Sequence, residues 1–323
     1  MDIETLGVVN KKLASYKAES ATITILDPAI FTQSLVIGGG GKHISRTGVN
    51  PVDPLSFEAN GSFNGILNTF YGIGTGGANT TGNGNTFVGS IAGQSNINGD
   101  QNTFVGWAAG QLNTNGYHNT FLGVGAGQNN TTGYFNTFIG CDCGLQHKTG
   151  VNNVAIGAST FGSNTTGSLN VALGSGALAL NIVGNQNIAI GSYSCAAIIN
   201  SSNTGIGYCS LGRAAGVSHD NVGIGQFAGY TLTLGIGNTF IGPSAGYNAS
   251  QAVEVSNSTA IGQGAYTTAT NTMQLGNVDV TKVYSHGDFE AQDIGDGFIC
   301  KSPDGTRYRI TVANGGTVAV AAA

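Results

Sequence analysis

The run Asn102-Thr-Phe-Val-Gly-Trp-Ala-Ala-Gly110 returns 17 residues later as Asn119-Thr-Phe-Leu-Gly-Val-Gly-Ala-Gly127, and after another 17 as Asn136-Thr-Phe-Ile-Gly-Cys-Asp-Cys-Gly144. Self-similarity at a fixed period marks a repeat architecture, in which each unit buries its apolar surface against its neighbours. Working outward, the phrase Asn-Thr-Phe-(Val/Leu/Ile)-Gly or its variant Asn-Val-Ala-Ile-Gly begins at Asn68, Asn85, Asn102, Asn119, Asn136, Asn153, Asn170 and Asn187 at that spacing. It continues less regularly at Asn203, Asn221, Asn238, Ser258 and Thr272, which makes thirteen copies. With the first residue of a copy as position 1, position 5 is always glycine, from Gly72 to Gly276. Position 4 is always large and apolar, from Tyr71 to Leu275, and position 8 is nearly always small, as at Ala92, Ala109 and Ala126.

Glycine at this frequency excludes helix, and turns of the type Asn79 to Gly82, Asn130 to Gly133 and Asn164 to Gly167 break the short alternating runs. The pattern predicts a parallel β-roll or β-solenoid, one coil per 17 residues, each with two short strands and two turns. Coils stacked at about 4.8 Å would form a rod on the order of 60 Å long. Each position-1 Asn then lies over the one before it, in a ladder of side-chain amides. Glycine at position 5 marks a positive-φ corner or a close backbone approach. Asn164 and its equivalents read as local turn formers.

The composition agrees. Of 323 residues, 54 are Gly and only 27 are charged, 11 basic and 16 acidic. Five prolines without a G-X-Y period exclude collagen, and 40% apolar residues at net charge −5 exclude a disordered chain. Scattered Lys and Arg argue against nucleic acid, which requires clustered positive charge. No stretch approaches the roughly 18 continuous apolar residues of a membrane span, so no membrane insertion is expected. The acidic start Met1-Asp2-Ile3-Glu4 does not read as a secretory signal. Cys141, Cys143, Cys195, Cys209 and Cys300 lack a C-x-x-C pair and read as reduced, apolar fillers.

Charge also marks boundaries: residues 1–60 carry 11 charges, 263–323 carry ten, and the 202 residues between carry six. Three regions follow: an N-terminal attachment or capping region over 1–60, a β-roll repeat domain over 61–285, and a C-terminal β-meander tip over 286–323.

Fixing 17 residues costs more backbone entropy than burying one large position-4 side chain and one small position-8 side chain recovers, so a lone coil stack is expected to be marginal. Positions 3 and 4 point to opposite faces of a strand, so one of the two columns lies inside the coil and the other against something outside. The position-3 column Phe70, Phe87, Phe104, Phe121 and Phe138 shrinks to Ala155, Ala172, Ala189, Gly205 and Gly223. That narrowing suggests closer approach of subunits mid-rod. A closed homo-oligomer would cover the outer column.

Asn153-Val-Ala-Ile-Gly-Ala-Ser159, Asn170-Val-Ala-Leu-Gly-Ser-Gly-Ala177 and Ser258-Thr-Ala-Ile-Gly-Gln-Gly-Ala265 resemble the left-handed parallel β-roll repeats of trimeric autotransporter adhesin heads. The longer form at 85–93 and 102–110 is similar to repeats of phage tail fibres and related bacterial surface proteins. The resemblance covers roughly residues 64–280 and implies a homotrimer of three rolls around one axis. Repeats longer than the adhesin length favour the phage side. The expectation is a non-enzymatic virion fibre, on tail or head, made in the host cytoplasm and acting outside the cell in host attachment. Its partners would be itself, a virion tail or capsid protein through residues 1–60, and a host-surface glycan or protein. A bacterial surface adhesin exported without a conventional signal peptide is the alternative. An ice-binding solenoid is a further one, from the threonines Thr69, Thr86, Thr103, Thr120 and Thr137.

In the N-terminal region, Ile3, Leu6, Val9, Leu13 and Tyr16 have near-helical spacing, and Ala21 to Leu26 is a strand candidate. At the other end, Gly297 to Ser302, Thr306 to Val312 and Thr317 to Val320 read as a three-stranded meander with turns at Pro303-Asp-Gly305 and Ala313 to Gly316. The Ser302-Pro-Asp-Gly-Thr-Arg-Tyr-Arg309 run is similar to closing segments of phage tail-fibre proteins. Tyr308, Ile310 and Val312 would face a core, leaving Lys301, Arg307 and Arg309 as candidate contacts for an anionic glycan or as a solvated face. No catalytic, cofactor or metal residue is assigned. Gly72-Ile-Gly-Thr-Gly-Gly77 matches a dinucleotide string only because it falls on the repeat, and His118, His147, His219 and His286 show no ligand spacing. Asp288, Glu290, Asp293 and Asp296 read as a linker or turn rather than paired catalytic carboxylates.

Overall fold

The structure is a computed structural model that describes residues 67–213, 218–248 and 251–284, with three later segments, 298–301, 306–312 and 318–322. The helix and strand expected within residues 1–60, the acidic group from Asp288 to Asp296 and both meander turns lie outside the described residues.

Thirteen strands of three residues, from β1 (Thr69–Tyr71) to β13 (Met273–Leu275), form one parallel sheet in sequence order, the stack of a β-solenoid. Register is repeat on repeat: Thr103 pairs with Thr120, Phe104 with Phe121 and Val105 with Leu122. The thirteen strands are positions 2–4 of the thirteen copies.

Among the described residues, the second strand expected in each coil is not formed. The rest of the coil does bond to its neighbour, as from Gly110 N–H to the Ala126 carbonyl (2.9 Å) and from Thr114 N–H to the Thr131 carbonyl (2.9 Å). Left-handed residues at positions 7 and 9, such as Ala108 (φ 55°) and Gly110 (φ 56°), keep that path from extending. Position 5 is the corner expected: Gly106 has φ 138°, and a Cβ there would run into the carbonyl of Gly123 in the next coil.

Of the two apolar columns, position 3 fills the interior and position 4 lies outside. Phe87, Phe104, Phe121, Phe138 and Phe240 are fully buried, and the rings of Phe87, Phe104 and Phe121 stack at 4.7 and 4.8 Å between centroids. Flat rings repeat at the strand spacing without gaps, whereas the Val and Ile that hold most position-4 sites suit a pleated outer face. Ala92, Ala109 and Ala126 at position 8 close the core from the far side.

The mid-rod shrinkage of position 3 also has an internal cause, so it does not report closer subunits. Where position 3 is Phe, position 9 is Gly: a Cβ on Gly93, Gly110, Gly127 or Gly144 would collide with the Phe ring of its own coil. Where position 3 drops to Ala155, Ala172, Ala189 and Gly205, position 9 becomes Phe161, Leu178, Cys195 and Leu211, all fully buried. In these coils one side chain fills the cross-section, from one side or the other.

Two polar ladders line the coil. At position 1, the Oδ1 of Asn102 accepts the backbone N–H of Asn119 (2.9 Å) and its side-chain N–H (3.2 Å), while Asn119 Nδ2 donates to the Gly133 carbonyl (2.8 Å). Each amide thus ties its coil to the preceding coil and to the turn across the core. A second ladder runs through position 12, where Asn96 donates to Asn79, Asn113 to Asn96 and Asn130 to Asn113, each at 2.7 Å. Asn164, read from sequence as a turn former, is a buried rung of this ladder that donates to Asn181 Oδ1 (2.7 Å).

Candidate interaction surface

With position 3 turned inward, positions 2 and 4 of every strand form the outer face of the sheet. Position 4 is apolar in all thirteen coils and stays partly exposed, at 45% for Leu122, 40% for Ile156 and 37% for Ile241. The neighbouring position 2 holds Thr, Val, Ile or Met, so neither column carries a charge. An apolar column of this length, on the order of 900 Å², exceeds the few hundred Å² that a monomer ordinarily exposes in one patch. The coil core does not require it, since that core closes around positions 3, 8 and 9.

The C-terminal segments are strands β14 (Phe298–Lys301), β15 (Arg307–Val312) and β16 (Val318–Ala322), in antiparallel order β14-β15-β16, the meander expected from sequence. Lys301 pairs with Arg307 and Ile299 with Arg309. Arg307, opposite Lys301 in that register, is exposed. Tyr308, expected to face a core, is 37% exposed, because three short strands enclose little.

The buried titratable groups of the rod, Cys143, Cys195 and His147, serve packing. Burial pushes the Cys143 and Cys195 thiols up to about 12, as suits apolar fillers. A hydrogen bond to Asp142, with the charge of its carboxylate, raises the exposed Cys141. His147 is fully buried in the second ladder, its Nε2 3.0 Å from the Gly150 carbonyl and its Nδ1 3.1 Å from Asn164 Oδ1. Burial, the largest effect there, lowers its pKa against the raising effect of those bonds. His219 Nδ1 lies 2.7 Å from Asp220 Oδ2 on an exposed turn, beside a shallow depression lined by Asn200, Ser201 and Ser202. Among the described residues no group of three His, Cys, Asp or Glu side chains is placed to hold a metal ion, and no helix is long and apolar enough to cross a membrane.

Sequence reasoning missed a cluster of rings at positions 6, 7 and 10 of coils that begin at Asn203, Asn221 and Asn238. Tyr208, Phe227, Tyr230 and Tyr247 lie within 5.6 Å of one another as successive ring contacts. Tyr230 and Tyr247 share position 10, but Tyr208 is at position 6 and Phe227 at position 7, so no single column announces the cluster. No protein-family model, characterised protein or solved structure matches this chain.

Proposed function

We propose that the chain is a non-enzymatic, homotrimeric virion fibre, carried on a phage tail or head, that adheres to the host surface. The observation that carries this reading is the uncharged apolar column of position 4 on the outer sheet face, from Tyr71 to Leu275. Its area, on the order of 900 Å², is about what one partner gives to a standard stable interface. A cyclic arrangement of identical rods covers that face on every copy without leaving an open end for fibre growth. The repeat resemblance supplies the virion setting, and residues 1–60 would join the fibre to the particle.

Light scattering tests the assembly: a mass of three chains is expected, and a well-ordered monomer at micromolar concentration overturns the trimer. Ile139→Asp places a charge in the outer column without entering the coil core. It should abolish the trimer and leave the solenoid's circular dichroism intact. Immunogold labelling of intact particles tests the setting, and absence of the protein from virions would refute it.

A further inference from the structure

We propose that the aromatic cluster formed by Tyr208, Phe227, Tyr230 and Tyr247 is a binding platform for uncharged hexopyranose units of a surface polysaccharide. The proposal rests on the adhesive-fibre reading and gives it a contact site on the rod rather than on the C-terminal sheet.

Phe227 is the hub. It stacks on Tyr247 at 5.1 Å and meets Tyr208 and Tyr230 edge-on at 5.3 and 5.6 Å, while Tyr230 and Tyr247 meet edge-on at 5.4 Å. Tyr208 and Tyr247 remain 46% and 42% exposed. The solenoid does not require these rings. Position 7 carries Ser159 and Ser244 in other coils, and position 10 carries Gln94, Gln111 and Gln128. The left-handed backbone of position 7 is common to the coils (Ser159 φ 53°, Phe227 φ 57°, Ser244 φ 56°), so a ring there is a choice of side chain and not of path. Rings left partly exposed where other coils carry serine or glutamine point to a ligand.

The chemistry of the patch selects that ligand. Rings bury apolar C–H faces, and the tyrosine hydroxyls exchange hydrogen bonds at the rim. A pyranose ring offers both a C–H face and a rim of hydroxyls. Arg213 has its Cζ 6.0 Å from the Tyr230 ring centroid, where the ring face engages its charge, and the platform itself is four uncharged rings, so the proposed ligand is a neutral sugar. The exposed ring surface, roughly 300 Å² from four partly covered aromatics, falls short of the ~800 Å² per side of a stable protein interface. It suits one to three sugar rings.

The test titrates the full chain with the β-1,4-linked hexaoses of glucose, galactose and N-acetylglucosamine, with hexagalacturonate as the acidic comparison, by isothermal calorimetry. At least one neutral hexaose should bind, and the triple variant Phe227→Ser, Tyr230→Gln, Tyr247→Gln should weaken that binding at least tenfold. Because the replacements are residues other coils already carry there, the thermal midpoint should stay within a few degrees. If the triple variant melts early, Tyr230→Gln alone should still weaken binding at least threefold. Failure of all three neutral hexaoses to bind, preference for hexagalacturonate, or unchanged affinity in the variants would overturn the site. Light scattering on the same samples separates the two ideas: a trimer without sugar binding removes the site and keeps the fibre, while a monomer that binds sugar does the reverse.

Discussion

The coils that begin at Asn85 to Asn136 and those that begin at Asn153 to Asn203 share one backbone path but fill it from opposite sides. The first group places Phe at position 3 against Gly at position 9, and the second places Ala or Gly at position 3 against Phe, Leu or Cys at position 9. What these repeats hold in common is the volume inside the coil, not the residue at either position. The coil at Asn221 extends the rule across coils. Gly223 and Gly229 leave both of its positions empty, and Cβ atoms there would press on Leu211 and Phe240 from the coils on either side.

The largest test empties the shared space. Phe161→Gly removes the one large side chain of its coil, and a fully buried Phe lost without replacement costs about 3–5 kcal/mol. Chemical denaturation should show that loss. A cost near zero would mean the interior collapses freely and the two groups of coils are not held to one volume. Ala155→Phe does the opposite and sets a second ring against Phe161. Overfilling should cost about 1–3 kcal/mol. A stable variant would show that the coil widens to order.

Joining the two substitutions moves the junction between the groups by one coil. The coil at Asn153 would then carry Phe at 155 and Gly at 161, as the coil at Asn136 carries Phe138 and Gly144. Gly accepts the φ of 58° at residue 161 without strain. The double variant should regain most of what each single loses and lie within about 1.5 kcal/mol of the parent. Strictly additive losses would disprove the reciprocal rule, because only residues that share one space couple this strongly.

The period, the register, the position-1 ladder and the glycine corner were legible because each recurs at one phase of the repeat. Which of positions 3 and 4 lies inside was not. Both columns are apolar, and alternation reads the same from either face. The cue was present in the pairing of Phe104 with Gly110 and of Ala172 with Leu178, but it becomes a contact only once the coil closes. The missing second strand was hidden for another reason. Left-handed positions are usually announced by Gly or Asn, and here Ile91 and Tyr193 occupy them among others. The second ladder passed for a row of turns because Asn is also a common turn residue. Of the candidate site, the apolar outer column was visible as a column, whereas Tyr208, Phe227 and Tyr247, 19 and 20 residues apart in sequence, meet only through the stacking of coils.

The smallest effect belongs to the junction itself. His147 occupies a ladder position held by Asn in the coils before and after, and its ring lies between the two fillings, 5.1 Å from Phe138 and 5.7 Å from Phe161. The ladder changes direction there: Asn130 donates back to Asn113, Asn164 donates forward to Asn181, and Asn130 Oδ1 has no partner. Burial holds His147 neutral by lowering its pKa from 6.5, so on acidification the unfolded chain takes up a proton that the folded chain refuses. Stability from this group is therefore present above about pH 6.5 and declines as pH falls below it, by at most about 1.4 kcal/mol per unit. His147→Asn exchanges ring packing for a ladder amide, so near pH 7.5 the two proteins should melt within a few degrees of each other. Between pH 6.5 and 5 the variant should lose less stability than the parent. Parallel melting curves across that range would mean that His147 protonates in place, and that the junction tolerates a charge that the Phe-stacked coils exclude.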